Sequence, residues 1–462
     1  MLSRLAAALT CAVVALALAP SAHAARGLDI GFFDGVFLTP ERDPWLQRSA
    51  DAGADVVRID IGWVASTRPG QPRDPADPAY DFVAPDAAIK AATARGLKVI
   101  ASFTSAPPWA EGADRPDDAP PGSWRPDLQA LEDYGAALAQ RYSGRYPDPA
   151  QAGAVLPAVE ALQLWNEPNL SKYLTPQWSG ERTASPAYYR RMLRAFYRGV
   201  RSTGSDVLVA TAGTAPFGDP LPRGDRIMPA RFVRDLLCLR ADGTRLRGTR
   251  CPAPAQFDVL AHHPYSVGAP TRSALNADDV SIPDLGRLTR LLRAAERTGR
   301  ALPRIRHRLW VTEVSYDSKP PDPDGVPALR HAGYLERAFY ELWRQGVDTI
   351  TWFQVRDQPP DPSFAATNQS GVFTNDGTAK PALKAFRFPF VAVRRGTGLR
   401  AWGRATAAGT LMIERRTDGG WHTERTVKVS AHETFVTQLD VRGAVSLRAR
   451  IGADTSLTWR TG

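Results

Sequence analysis

Cysteine is scarce, three residues in 462, and Cys11 lies in an N-terminal segment that reads as a removable leader. The two that remain, Cys238 and Cys251, have no histidine pattern beside them, which argues against a zinc site built there. No stretch after the N-terminal segment is long and apolar enough to cross a bilayer, which takes about 20 residues. The formal charge of +10 would permit attraction to anionic polymers such as acidic polysaccharide or cell-wall phosphate. Yet no dense basic run carries that charge. The arginines are scattered over helix and loop patterns, and without a basic stripe or a recognisable module the chain does not read as a nucleic-acid binder. Solenoid-like repeats and low-complexity tracts are missing too.

What is present is an ordinary globular composition, 43% hydrophobic and 23% charged, with length for one large domain and one small one. Residues 1–24 combine Arg4, an apolar run from Leu5 to Ala19 and the small-residue site Ala22-His23-Ala24, the pattern of a secretory signal. Export implies an oxidising compartment. Cys238 and Cys251 are therefore expected to form a disulfide closing an Arg-rich loop, contributing about 3 kcal/mol at best.

The informative stretch is Leu162-Gln163-Leu164-Trp165-Asn166-Glu167-Pro168-Asn169-Leu170. An alternating run from Ala158 reads as a strand, and Pro168 stops it from continuing regularly. Glu167 then stands where a strand gives way to a loop, crowded behind an aromatic, a setting that raises a carboxyl pKa toward that of a working acid. A second run, Arg308-Leu309-Trp310-Val311-Thr312-Glu313-Val314-Ser315-Tyr316, places Glu313 near the end of another strand. Between and around them, helix and strand patterns alternate. Strands are expected at Leu28–Phe33, Asp55–Trp63, Leu97–Phe103, Ala158–Leu164, Val207–Ala212, Phe257–Tyr265, Arg308–Tyr316 and Asp348–Phe353. Eight parallel strands closed into a (β/α)8 TIM barrel would carry both glutamates to the carboxyl ends, in one pocket.

The two glutamate stretches resemble the signatures of glycoside hydrolase clan A. Trp165-Asn166-Glu167-Pro168-Asn169 resembles the acid/base element ending strand four, and Trp310-Val311-Thr312-Glu313 the nucleophile element ending strand seven. The resemblance runs from about Leu28 to Phe388, with families 39 and 5 nearest. It implies a retaining glycosidase in which Glu167 is the acid/base and Glu313 the nucleophile, acting on a β-glycoside or an oligo- or polysaccharide. An α-L-arabinofuranoside is the alternative substrate. It implies that Asn166 binds the sugar 2-hydroxyl, that Arg58 lies beside the nucleophile, and that Trp352 stacks on a sugar. His263 and Tyr265 match a His-any-Tyr arrangement whose tyrosine hydroxyl bonds the nucleophile. No metal or organic cofactor is called for. Arg58 could instead pair with Asp60, Trp109 could be a sugar platform or a core plug, and His262 reads as structural. A carbohydrate-binding protein without turnover and a transglycosylase are the rival functions; oligomeric state stays open.

From about Pro389 the texture changes to short β-rich runs separated by Gly and Asp turns, so a small antiparallel β-sandwich is expected over 389–462 after a barrel domain over 25–388. Packing against the barrel is its expected role. Asn169 and Asn368 stand in Asn-X-Ser sequons.

Overall fold

The computed structural model describes residues 27–220, 224–242 and 245–461, so the leader expected over residues 1–24 lies outside the described residues. Eight strands close into a parallel barrel in sequence order: β1 (Asp29–Phe33), β2 (Val56–Asp60), β3 (Lys98–Phe103), β4 (Ala161–Leu164), β5 (Leu208–Thr211), β6 (Val259–His262), β7 (Arg308–Val314) and β8 (Thr349–Phe353). Around it run α1 (Arg42–Asp51), α2 (Val83–Thr93), α3 (Leu128–Arg141), α4 (Ser185–Ser202), α5 (Pro229–Leu236), α6 (Gly286–Thr298), α7 (Ala328–Arg344) and α8 (Pro381–Arg387). This is the expected (β/α)8 fold. Among the described residues no helix is long and apolar enough to cross a membrane.

Strand alternation divides the side chains between two cores. Outward residues such as Ile30, Val57, Leu162 and Ile350 meet the helix layer in the main core. Inward residues Val56, Ile100, Ala161, Ala210, Val259 and Trp310 form a small separate plug inside the barrel. Two residues further along their strands, on the same inward face, stand Arg58, Ser102, Gln163 and Thr312. The plug therefore forms the floor of a polar site. Gly31 allows β1 and β2 to approach, because a Cβ there would meet the Val56 carbonyl oxygen at 1.6 Å.

Cys238 and Cys251 are joined in a disulfide. Between them the loop expected from the sequence contains a short antiparallel hairpin, Leu239–Asp242 with Arg245–Gly248. Beyond α8 two antiparallel sheets pack face to face. One holds β9 (Phe390–Arg395), β10 (Gly398–Arg404) and β13 (Thr434–Leu439); the other holds β11 (Gly409–Thr417), β12 (Gly420–Val429) and β14 (Ser446–Ile451). They share a core of Phe390, Leu399, Leu411, Ile413, Phe435 and Leu447. Trp402 leaves that core to pack on Tyr340 and Trp343 of α7, and Arg404 pairs with Asp55 at the start of β2 at 2.6 Å. The sandwich thus covers the flank and the amino-terminal end of the barrel, away from the carboxyl ends of the strands.

Candidate active site

At the end of β4 the chain turns sharply. Trp165 and Glu167 adopt φ of 77° and 35°, a left-handed conformation that costs a non-glycine residue about 1–3 kcal/mol each. Local hydrogen bonds hold the turn. Trp165 is fully buried with its indole N–H on the Tyr173 carbonyl at 2.7 Å, and the Glu167 amide donates to the Gly213 carbonyl at 3.0 Å. Asn169 is completely buried, donating to Ala215 and Ile227 carbonyls and accepting from the Ala215 amide. Its sequon is consequently closed to glycosylation in the folded chain.

Glu313, in β7, faces the same space. Tyr265 donates its hydroxyl to Glu313 Oε1 at 2.6 Å, and Arg58 Nη1 reaches Oε2 at 3.3 Å. Arg58 is 1% exposed and its charge is fully engaged. It donates also to Ser102 Oγ, the Thr312 carbonyl and Asn166 Oδ1, each at 3.1 Å, and lies 4.1 Å above the Phe33 ring. The alternative pairing with Asp60 is not what the fold adopts. Burial pushes the Tyr265 hydroxyl well above its ordinary range, reinforced by the Glu313 charge, so it remains a donor.

His263 stands between the two carboxylates. Its Nδ1 is 3.1 Å from Glu167 Oε1 and 3.8 Å from Glu313 Oε2, so those oxygens are no further apart than these two distances laid end to end. The network assigns the tautomer. Arg58 Nη1, which can only donate, lies 3.5 Å from His263 Nε2, and Thr312 Oγ1, which already accepts from Gln163 Nε2, lies 3.1 Å from the same nitrogen, so Nε2 is the acceptor. Nδ1 therefore carries the hydrogen and donates to Glu167. Burial pushes His263 down to about 4, with Arg58 adding to the effect, so the ring is neutral near pH 7. Gly213 makes room for it: a Cβ there would lie 2.1 Å from His263 Nε2.

Burial also raises the Glu167 carboxyl to about 7, against the opposing charges of Arg58 and Lys172. At neutral pH this carboxyl is poised between its two forms. A partly protonated acid beside a paired carboxylate is the division of labour that acid-catalysed displacement at an acetal requires.

Of the residues expected at the site, Glu167, Glu313, Asn166, Arg58, His263 and Tyr265 come together. Trp352 does not. It is fully buried, points outward from β8 against His331 and Phe339, and gives its indole N–H to the Ser370 carbonyl. The expectation of a sugar platform at Trp352 is corrected by strand alternation: the next residue, Phe353, faces inward and pairs with Phe33 at 5.3 Å. Trp109 lies half-buried at the rim, edge-on to Trp63, with its N–H on the Ala65 carbonyl. His262 is buried between Thr214 and the Val280 carbonyl, as a structural histidine. Sequence reading missed Phe33, Phe353, Thr312, Gln163 and Gly213; inward phase along each strand was the signal for the first four. Among the described residues no group of three or more His, Cys, Asp or Glu side chains is placed to hold a metal.

Fold and site together define a (β/α)8 barrel with two carboxylates converging at the carboxyl ends of β4 and β7. Solved structures share this fold. A family 39 glycoside hydrolase from the gut symbiont Bacteroides cellulosilyticus WH2 matches at 17% identity and TM-score 0.54, over 89% of this chain and 81% of that one. A family 39 β-xylosidase from Caulobacter crescentus matches at 15% and 0.54, over 91% and 98%, and a family 39 enzyme from Xanthomonas axonopodis pv. citri at 15% and 0.51, over 92% and 93%. At such identities the likeness is one of fold. No protein-family model and no curated protein matches the sequence.

Proposed function

We propose that the chain is an exported retaining glycoside hydrolase acting on a β-glycoside or an oligo- or polysaccharide, with Glu313 as nucleophile and Glu167 as acid/base. The observation that carries this reading is the single nitrogen, His263 Nδ1, within 3.8 Å of both carboxylates. Carboxyl groups about 5–5.5 Å apart suit double displacement, whereas about 6.5–9.5 Å leaves room for direct attack by water. The His263 bridge sets an upper limit on the gap between the two oxygens that excludes most of the longer range. The fold shared with family 39 glycoside hydrolases supports the same class. Export is supported by the leader-like residues 1–24 and by the Cys238–Cys251 disulfide.

In the first step a Glu313 oxygen bonds the anomeric carbon as the bond to the leaving oxygen breaks, and the Glu167 proton passes to that oxygen. Glu167 then takes a proton from water, which attacks the same carbon and releases Glu313. Arg58 and Tyr265 hold the two Glu313 oxygens in place for the attack, each through a hydrogen bond. With its oxygen engaged by Arg58, Asn166 has its amide N–H free to bind the sugar 2-hydroxyl. Phe33 and Phe353 offer the apolar wall for the ring. The test is Glu313→Ala with azide and an activated aryl β-glycoside. An α-glycosyl azide is expected; a β-glycosyl azide would remove Glu313 from the nucleophile role.

A further inference from the structure

Five of the arginines that read as scattered along the chain are brought together by the fold at the end of the barrel opposite the carboxylates. A cavity of about 590 Å³ lies among the starts of β7 and β8, the last turn of α7, and β10 of the sandwich. Five guanidinium groups, from Arg293, Arg306, Arg308, Arg344 and Arg400, line it together with one carboxylate, Asp348.

The counter-charges around it are shared and incomplete. Glu296 serves both Arg293 and Arg306, the latter at 3.4 Å, and also accepts the His307 amide. Glu341 serves Arg344 and Arg337. Arg308, by contrast, is held by both Asp348 and Glu160, each at 3.4 Å, so neither carboxylate is left over for Arg400 or Arg306. The Arg400 guanidinium has no ion pair or hydrogen bond among the described residues, and its Nε is buried without a partner, as is Arg293 Nε. Buried N–H donors left unpaired cost about 1–3 kcal/mol each, and guanidinium forks match the oxygens of phosphate or sulfate.

We propose that this cavity is an anion-binding site for a phosphate or sulfate group, free or carried by a polyanion, independent of the catalytic reading. A doubly charged oxyanion supplies Arg400 and the loosely held Arg306 with the counter-charge that Asp348 and Glu296 do not. Because the site draws on both barrel and sandwich, it gives the sandwich a part in binding as well as packing. An anionic surface held here leaves the carboxyl ends of the strands facing away and open.

The test is calorimetric titration of the whole protein with inorganic phosphate at constant ionic strength, with inorganic sulfate in parallel to distinguish the two oxyanions. One binding site is expected, weakened at least tenfold by Arg400→Gln and unchanged by Arg395→Gln, an exposed arginine of β9 outside the cavity. Turnover of a neutral aryl glycoside, where present, should be the same in all three proteins. Should Arg400→Gln fail to fold, Arg306→Gln, whose side chain is 72% exposed, is expected to weaken binding several-fold. No binding of either anion at millimolar concentration, or equal weakening by Arg395→Gln, overturns the proposal.

Discussion

At Glu167 the surroundings, not the residue type, set the chemistry. Its carboxyl is raised to about 7 by burial, so it should act as an acid below that pH and lose its proton above it. The expected kcat/KM profile with a poorly activated glycoside falls on the alkaline side of about pH 7, and Glu167→Gln should abolish that limb. The same shift has a stability consequence. Between the ordinary value of 4.5 and about 7, the folded chain binds a proton that the unfolded chain has released, so folding weakens as pH rises through that window. Glu167→Gln should therefore raise Tm at pH 8 and leave it nearly unchanged at pH 4. Thermal unfolding at both pH values checks this. Tyr265→Phe removes a 2.6 Å bond to a charged acceptor, which is worth about 1.5–3 kcal/mol, so kcat/KM should drop about ten- to hundredfold while fold and Tm hold. These two carboxylates were legible because the residues beside them, Pro168 above all, mark a strand ending. Gly213 was not legible, because its reason is the ring of His263, fifty residues away, that a Cβ would strike.

Strands β1 and β8 show how one position of phase decides a role. Phe32 pairs in register with Trp352, and Phe33 with Phe353, so adjacent aromatics on each strand face opposite sides. Trp352→Ala should empty a packed space between β8 and α7 and cost about 3–5 kcal/mol in urea unfolding, with little change in KM. Phe353→Ala should do the reverse: modest loss of stability and about a tenfold fall in kcat/KM, or about 1.4 kcal/mol. Equal effects of both on kcat/KM would place Trp352 back at the site. In Thr349–Phe353 the phase is carried by Thr349 and Thr351 alone, on the same face as Phe353 and opposite Ile350 and Trp352, a weak signal because threonine is common in buried strands. Helices were easier. The spacing around α3, α4 and α7 locates them, and Gly96, with φ of 75°, follows α2 as glycine commonly follows a helix end.

The whole molecule is held by contacts that link distant stretches. Asp55, at the start of β2, meets Arg404 and His432 of the sandwich. Burial alone pushes the Asp55 carboxyl up, but the His432 ring, the Arg404 guanidinium and the Ile30 amide together hold it below the ordinary carboxylate range. Its stabilising contribution is therefore present above the unfolded value and lost as pH falls through the lower, folded one. Arg404→Ala should cost about 3 kcal/mol at pH 7, because it strands a mostly buried carboxylate, and the deficit should shrink at acid pH. Denaturant titration at pH 7 and pH 3 checks it; a deficit independent of pH would show that Arg404 acts by packing alone. The alternating element order, the leader-like start, the change to β texture near Pro389 and the identity of the two glutamates were determined by local residue pattern, since periodicity and turn chemistry act over a few residues. Which side of a strand faces the cleft, which tautomer His263 takes, and how Asp55 comes to meet Arg404, 349 residues further on, were decided only in three dimensions. Closing the barrel sets strand phase, burial and charge pairing all at once, and none of the three is a property of a short segment.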